Sequence, residues 1–438
     1  MRRTKWMVLL LVGLLCFLGG LRIETPRAGA AAAYQELQLF TDVLSIVRRS
    51  YVEEVSFRDL IYGAIDGMLG SLDPHSGFMP PDVYKEMKVD TRGEFGGLGI
   101  EITIRDGVLT IVAPIEDTPA DRAGLQSGDQ ILKIEDEFSK DLTIMEAVKR
   151  MRGAPGTDIS ISVMRDSFER PRVFTLTREV IRIKSVKSRT LEPGYGYVRL
   201  AQFQEKTGRD LTRALAALQE ENGGQLNGVV LDLRNNPGGL LDQAVEVADL
   251  FLREGMIVST RGREEESQME FSAHARGTEP DYPLVVLING GSASAAEIVA
   301  GALQDHGRAV VMGTRSFGKG SVQSIIPLND DSGLRLTTAK YYTPNGTSIQ
   351  ARGIVPDIEV APGEVREVKD PVHFREKDLK NHFDQEPNRS SPHPELPTDP
   401  DFPDDDSQKS RGDYQLMRAL DLLKGWQIFQ GLGLQKAA

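Results

Sequence analysis

Lys319 lies in the glycine-rich stretch GTRSFGKGS, residues 313–321, whose residue types permit two kinds of chemistry. The spacing of Gly313, Gly318 and Lys319 is that of a P-loop, in which the lysine holds a nucleotide phosphate. A P-loop also needs a Ser or Thr for magnesium and a helix whose N-terminus faces the phosphate. Here Gly320 replaces the hydroxyl residue, and the β-branched stretch that follows predicts a strand. The sequence therefore argues against nucleotide binding.

Ser294, in the stretch NGGSASAAEI, lies where a predicted strand gives way to a predicted helix. Ser294 and Glu297 have the spacing of a capping box, in which a serine and a glutamate satisfy backbone amides at a helix start. Alternatively, Ser294 is a nucleophile whose small neighbours leave its hydroxyl open to a substrate. In that case the unpaired N–H of Ala295 could stabilise an oxyanion. These residues alone leave both interpretations open.

The stretch LDLRNNPGG, residues 231–239, is the second place where an oxyanion donor is expected. Asn-Pro-Gly-Gly after a buried strand predicts a tight turn, which could simply connect the strand to the next helix. Glycine at such a turn also lets the backbone approach a ligand closely and direct an amide at it.

A nucleophilic serine needs a base, and none of the six histidines is well placed. His306 follows Ser294 by 12 residues on the same predicted helix, about three turns away. His274 lies in a polar loop, and three others lie in the C-terminal tail. Lysine can act instead if its pKa falls from about 10.4 towards ~7–8. Lys319, between two glycines at a strand end, is positioned for such burial, although a solvated loop lysine is the alternative.

The elements that must position these residues alternate between strands and helices from about residue 181 to 361. Apolar stretches such as NGVVLDLR and YPLVVLI each precede a helical pattern, which indicates an α/β layered core with much parallel pairing. Residues 93–178 instead show short strands and turns, typical of a compact β-rich module. Residues 34–92 are predicted to be helical, with Ser56 as a helix N-cap.

The N-terminus has the pattern of a secretory leader over residues 1–33, with a basic start, 16 uncharged residues and a small-residue stretch. Cleavage is expected near Ala30, and an uncleaved membrane anchor is the alternative. The one cysteine, Cys16, lies inside the apolar run, so the mature chain would have no disulfide, cysteine zinc site or cysteine nucleophile. We expect export to the bacterial periplasm or cell envelope.

The C-terminal part changes composition twice. Residues 366–410 are acidic and rich in proline, which predicts disorder. Residues 411–438 regain an amphipathic helical pattern, typical of a helix that docks on its own core or of a dimerisation element. A net charge of -12 without a basic cluster argues against a nucleic-acid partner.

Together, the stretches NGGSASAAEI, LDLRNNPGG, FGKGSVQ and FGGLGIEI resemble the carboxyl-terminal processing proteases, which are secreted Ser/Lys peptidases with a PDZ domain. DPHSGF and ALQDHGRAV extend the resemblance over roughly residues 35–365. It implies an α/β fold with a crotonase/Clp-like core at 179–365, an inserted β-rich PDZ domain at 93–178 and an N-terminal helical segment at 34–92. It implies no metal and no cofactor. We further expect a homo-oligomer, with an adaptor protein as an additional partner.

By this resemblance Ser294 is the nucleophile, Lys319 is the general base and Gln323 is the residue that positions the lysine. The intervals of 25 and four residues between them agree with the family. The oxyanion hole would consist of the backbone amides of Ala295 and Gly239, which we prefer to the glycine before it.

In the PDZ domain the resemblance assigns tail recognition to Gly97, Leu98, Gly99 and Ile100. The amides of the last three would bind the terminal carboxylate of a substrate, whose final residues add a strand to the sheet. Arg165 could sense that carboxylate, but a solvated arginine at a strand end is the expected interpretation.

The resulting hypothesis is an endopeptidase that recognises exposed C-terminal tails of protein substrates and cleaves them. One rival is a non-catalytic PDZ adaptor on a peptidase-like core. A second rival is an acyl-CoA enzyme on a crotonase-like core, which would leave the PDZ domain and Lys319 without a role.

Overall fold

The structure is a computed structural model, which divides into two compact units, Met1–Pro80 and Pro81–Ala438. It describes residues 27–115, 117–265, 268–363 and 413–432. Most of the predicted leader at 1–33 and all of the predicted disordered tail at 366–410 therefore lie outside the described residues.

The described part of the first unit contains two helices and one short strand. These are α1 (Arg27–Ser50), α2 (Phe57–Gly70) and β1 (Gly77–Met79). As predicted, Ser56 caps α2, because its hydroxyl accepts a hydrogen bond from the Asp59 amide. None of the described helices is both long enough and apolar enough to cross a membrane.

The second unit begins with a helix and a β-rich module. Its elements are α3 (Pro81–Arg92), β2 (Glu94–Gly97), β3 (Ile100–Arg105), β4 (Val108–Pro114), α4 (Pro119–Arg122), β5 (Gln130–Ile134), β6 (Glu137–Phe138), α5 (Ile144–Met151), β7 (Asp158–Met164), β8 (Arg172–Thr177) and β9 (Glu179–Arg182). The sheet order is β3-β4-β5-β7-β8, β6 pairs with β5, and β2 pairs with β9 as a separate ribbon. Alternate strand residues such as Ile159, Ile161 and Val163 enclose a buried core with Ala147 of α5.

An α/β core follows. Its elements are β10 (Val186–Glu192), β11 (Tyr195–Leu200), α6 (Thr207–Glu221), β12 (Gly228–Asp232), α7 (Leu241–Asp249), β13 (Met256–Gly262), β14 (Met269–Ser272), β15 (Leu284–Ile288), α8 (Ala295–Asp305), β16 (Val310–Gly313), β17 (Ser321–Pro327), β18 (Gly333–Tyr342), β19 (Ile358–Glu359) and α9 (Tyr414–Gly431). The main sheet has the order β10-β11-β12-β15-β16-β19 and is parallel from β11 to β19. Strands β17, β18, β13 and β14 pair antiparallel in that order. The predicted α/β class is confirmed.

The main sheet is covered on both faces, which explains its continuous apolar strands. Val229 and Leu231 of β12 belong to the cluster that contains α6, α7 and α8. Val230, between them, belongs to a second cluster with Leu416 and Leu423 of α9. The C-terminal helix therefore docks on the core of its own chain, as the first of the two interpretations of this segment predicts.

Candidate active site

Three loops leave the same edge of the main sheet. Strands β12, β15 and β16 are neighbours and parallel, so their carboxyl ends meet at one edge, where open α/β sheets place their sites. The loops after these strands carry Gly239, Ser294 and Lys319 respectively. Sheet topology thus unites three motifs that are separated in sequence.

Ser294 adopts a backbone conformation that its capping role does not require. It precedes α8, and its amide donates to the Glu297 carboxylate as in the predicted capping box, but its φ is 55° and its ψ is −114°. N-cap residues ordinarily have extended backbone, and a positive φ is strained for a residue with a Cβ atom. Such strain persists only where surrounding contacts enforce it, and it is concentrated at functional sites. Ser294 is 8% exposed.

Glu297 is fully buried, and its carboxylate joins the serine loop to the lysine loop. Oε2 accepts hydrogen bonds from the Ser294 amide at 2.8 Å and from the Lys319 amide at 2.9 Å. Oε1 accepts from the Ser316 hydroxyl at 2.5 Å and the Gly318 amide at 2.7 Å. One oxygen atom therefore bridges the backbones of Ser294 and Lys319.

The environment of Lys319 favours the neutral amine. Burial lowers the pKa of Lys319 and the positive charge of Arg335 lowers it further, while the negative charge of Glu297 opposes them without reversing the shift. Within the described residues Lys319 forms no ion pair, and no hydrogen bond joins its Nζ to the Ser294 hydroxyl.

The loop around Lys319 is not a P-loop. The residues after it form β17, so the predicted strand is confirmed. Gly320 lies so close to a neighbouring segment that a Cβ there would be 2.3 Å from the Gln350 amide nitrogen. Gly320 therefore allows two backbone segments to pack more closely than a residue with a Cβ atom would.

The turn after β12 presents one amide that the protein leaves unbonded. The Gly238 amide donates to Asn236 Oδ1 at 2.9 Å. In the described part of the chain, by contrast, the amides of Gly239 and Ala295 have no hydrogen-bond acceptor. A Cβ on Gly238 would lie 2.8 Å from Ser294 Cβ and 3.0 Å from the Ala295 nitrogen. The turn therefore packs directly against the serine.

Polar side chains that the sequence analysis missed tie the turn to the serine loop. Asn235 and Asn289 exchange two hydrogen bonds, of 2.9 and 3.0 Å. The Ala293 amide donates to the Asn236 carbonyl, and the Ser292 hydroxyl donates to a carbonyl in the turn. The only feature of the sequence that could have indicated these hydrogen bonds was the concentration of polar residues between a buried strand and a helix.

Gln323 lies on β17, next to a register shift against β18. Its side-chain amide donates to the Ser321 hydroxyl at 2.8 Å. In the described structure no hydrogen bond joins it to Lys319, which lies in the loop immediately before β17.

The stretch Gly97–Ile100 forms the end of β2, a short turn and the start of β3. The carbonyl of Leu98 accepts from Ala120 and that of Gly99 accepts from Ile115. The amides of Leu98 and Gly99 donate to no acceptor within the described residues. This turn therefore offers free donors, as the prediction for a carboxylate-binding loop requires.

Arg165 is not the solvated arginine that we expected. Its guanidinium donates from Nε and Nη2 to the carboxylate of the fully buried Asp129, at 2.6 and 2.7 Å. A third bond goes to the Gly124 carbonyl. These bonds hold the partly buried side chain against the β-rich module.

Among the residues that the structure describes, no group of three or more His, Cys, Asp or Glu side chains could hold a metal ion.

Comparisons with known proteins cover most of the chain. The sequence profile of peptidase family S41 matches residues 194–360, that of the PDZ domain matches 96–171, and that of the activating protease CtpB N-terminal domain matches 21–83. The chain is 47% identical over 397 residues to the carboxy-terminal-processing protease of Bartonella bacilliformis, covering 90% of this chain and 89% of that one.

A second curated relative and a solved structure are also similar to this chain. The carboxyl-terminal-processing protease of Synechocystis is 39% identical over 373 residues, covering 80% of this chain and 85% of that one. Among solved structures, a photosystem II D1 C-terminal processing protease is 30% identical, with a TM-score of 0.43 over 74% of this chain and 92% of that one.

Proposed function

The chain belongs to peptidase family S41, with the carboxy-terminal-processing proteases, and we propose that it cleaves C-terminal tails of protein substrates with a Ser294/Lys319 dyad. The observation that carries this proposal is the single Glu297 oxygen that binds the backbone amides of both residues. It brings the hydroxyl-bearing and the amine-bearing residue to one place, although 25 positions separate them.

The reaction follows from the groups at this edge of the sheet. Ser294 Oγ attacks the scissile carbonyl while neutral Lys319 takes its proton, and the amides of Gly239 and Ala295 bind the oxyanion. The C–N bond then breaks, and Lys319 returns the proton to the leaving amine. Water hydrolyses the acyl-enzyme with Lys319 again as the base, which restores Ser294.

The dyad closes when substrate binds. In the structure no hydrogen bond joins the Ser294 and Lys319 side chains, and such catalytic contacts are often long until the Michaelis complex forms. The flexible lysine side chain can swing to the hydroxyl, and Gln323 orients it from the adjoining strand.

Tail recognition is the task of the β-rich PDZ module. The amides around Leu98, Gly99 and Ile100, together with Gly97, bind the terminal carboxylate, and the tail adds a strand beside β3. The leader at 1–33 exports the chain to the bacterial periplasm or envelope, or anchors it there if uncleaved. The chain acts as a homo-oligomer, and an adaptor protein delivers substrates.

The test is mass spectrometry of a model protein with an unfolded apolar C-terminal tail, incubated with the wild-type chain or with Ser294→Ala. Cleavage by the wild type and its loss in the variant are expected. A fluorophosphonate probe should label only the wild-type serine. Equal cleavage by both proteins contradicts the assignment of Ser294, and tail binding without cleavage or labelling would identify a PDZ adaptor instead.

A further inference from the structure

Arg234 lies between β12 and the turn that carries Gly239, with a side chain only 14% exposed. A guanidinium has five N–H donors, and all five of Arg234 are bonded. Nε and Nη2 donate to the two oxygens of Asp232, and Nη1 and Nη2 donate to the two oxygens of Asp413. The fifth bond, from Nη1, goes to Gln415 Oε1 at 3.0 Å.

The two carboxylates come from distant parts of the chain. Asp232 is the last residue of β12 and is 1% exposed. Asp413 lies 179 residues further on and is the N-cap of α9, where it also accepts from the Leu416 amide. Burial raises the pKa of Asp413, but its hydrogen bonds with Arg234 and the Arg234 charge lower it below the ordinary value. The C-terminal helix thus supplies three of the five acceptors of Arg234.

Helix α9 has other attachments to the core. Leu416, Ala419 and Leu423 are buried against the second face of the sheet. Towards its far end, Lys424 forms an ion pair with Glu192 at 2.8 Å. The bond from Asp413 to Arg234 is therefore not needed to dock the helix.

The bond from Asp413 to Arg234 is also connected to the turn. Arg234 is followed by Asn235, which has a positive φ of 56° and pairs with Asn289 of the serine loop. Loss of Asp413 would leave two donors of a buried guanidinium without acceptors, which is costly. Arg234 would then move towards water, and the turn attached to it would shift.

We propose that Asp413 is a positioning residue for peptide-bond cleavage, which acts through Arg234 to hold the Gly239 amide beside Ser294. The inference rests on the proposed function. It makes the C-terminal helix a part of the catalytic support, in addition to a cover for the sheet.

The test compares Asp413→Ser and Asp413→Asn with the wild type, in the full chain, on the tailed model protein. Serine keeps the helix N-cap but cannot reach Arg234, whereas asparagine keeps the cap and one acceptor. We expect kcat to fall about 10- to 100-fold for Asp413→Ser, by a smaller factor for Asp413→Asn, and KM to change less than about twofold. If Asp413→Ser does not fold, the test is the comparison of kcat between Asp413→Asn and the wild type.

Lys424→Met is the matched control, because it removes an attachment of the same helix far from the turn. Lys424→Met should leave kcat within about twofold of the wild-type value. This should hold even if thermal unfolding shows that it loses as much stability as Asp413→Ser. Full kcat in Asp413→Ser, or an equal loss of kcat in Lys424→Met at equal stability, would overturn the inference. Absence of cleavage and of Ser294 labelling in the wild type would instead refute the proposed function.

Discussion

Two regions of this protein present free backbone amides, and they are held in place by different means. The turn around Leu98 and Gly99 is fixed by backbone hydrogen bonds from Ile115 and Ala120 and by one side chain, the Thr118 hydroxyl. The amides of Gly239 and Ala295 lie in loops held by several polar side chains, of which Asn236, Ser292 and Glu297 are buried. The full set is Arg234, Asn235, Asn236, Asn289, Ser292 and Glu297.

The difference corresponds to the task that the proposed function gives to each amide pair. Binding a flexible tail tolerates small errors in donor position, since the tail adjusts to the groove. Stabilising a transition state requires donors that are fixed before charge develops, and a misplacement of 1 Å can cost 10²-fold in rate. A network of buried hydrogen bonds provides that rigidity. Changes in the catalytic network should therefore affect kcat, and changes in the PDZ turn should affect tail binding.

The largest expected effect is that of Lys319→Met. Loss of the proposed general base should reduce kcat by about 10³- to 10⁴-fold, whereas tail binding to the PDZ module should be unchanged. Steady-state cleavage of the tailed protein and fluorescence anisotropy with a labelled tail peptide measure the two effects. A variant that loses both activities would show that the two regions are not separable.

Lys319→Met should also stabilise the fold. The folded-state pKa of Lys319 lies below the ordinary value of 10.5, so the folded chain binds this proton more weakly than the unfolded chain. The resulting destabilisation is complete below the folded-state pKa and disappears as the pH rises through the unfolded value. The gain in unfolding free energy should therefore be present at neutral pH and vanish near 10.5. Lys340→Met, which replaces an exposed lysine, is the control for the change of side chain itself.

Glu297→Gln should have the next largest effect, because it acts on both loops at once. Glutamine has an NH2 group where the glutamate has its second carboxylate oxygen. This group cannot accept hydrogen bonds, so the two N–H or O–H donors that face it would lose their acceptor. Each stranded donor costs about 1–3 kcal/mol, and we expect kcat to fall about 100-fold through misalignment of Ser294 and Lys319. Urea unfolding and steady-state kinetics measure these losses.

The matched control is Glu146→Gln in the PDZ module. Glu146 and Thr143 form a capping box with the same spacing at the start of α5, but this box is exposed. Glutamine there keeps an oxygen for the Thr143 amide, so stability should fall only slightly and kcat should stay within about twofold. Equal losses in the two variants would mean that Glu297 acts only as a helix cap.

The contrast between these two boxes also shows what sequence can predict. An interval of three residues predicts each cap, because a cap is a local structure. It does not predict that Glu297 also binds Ser316, Gly318 and Lys319, which lie 19 to 22 residues further on. Those bonds arise only when parallel strands bring their loops to one edge. Local motifs therefore suffice to propose the reacting groups, whereas most of the groups that hold them could not be predicted.

The same limit applies to the C-terminal helix. Its amphipathic pattern is equally compatible with docking and with dimerisation, so the sequence left the choice open. The choice depends on the second face of the main sheet, where apolar residues such as Val230 and Val285 need a cover. That face is known only once the direction and order of the strands are known. The bond from Asp413 to Arg234, across 179 residues, follows from that docking.

The smallest effect on catalysis is expected from Gly99→Ala, which acts on the other region. Gly99 has a φ of 79°, and a Cβ there would lie 2.3 Å from Thr118 side-chain atoms. The turn must shift, and with strain of about 1–3 kcal/mol the Kd for a tail peptide should rise about tenfold. Gly107→Ala has a similar φ of 77° but open space around the new methyl group, so it should leave the Kd nearly unchanged. If Gly99→Ala lowers kcat and leaves the Kd unchanged, the PDZ turn supports catalysis directly, and the proposed separation of tail binding from catalysis is wrong.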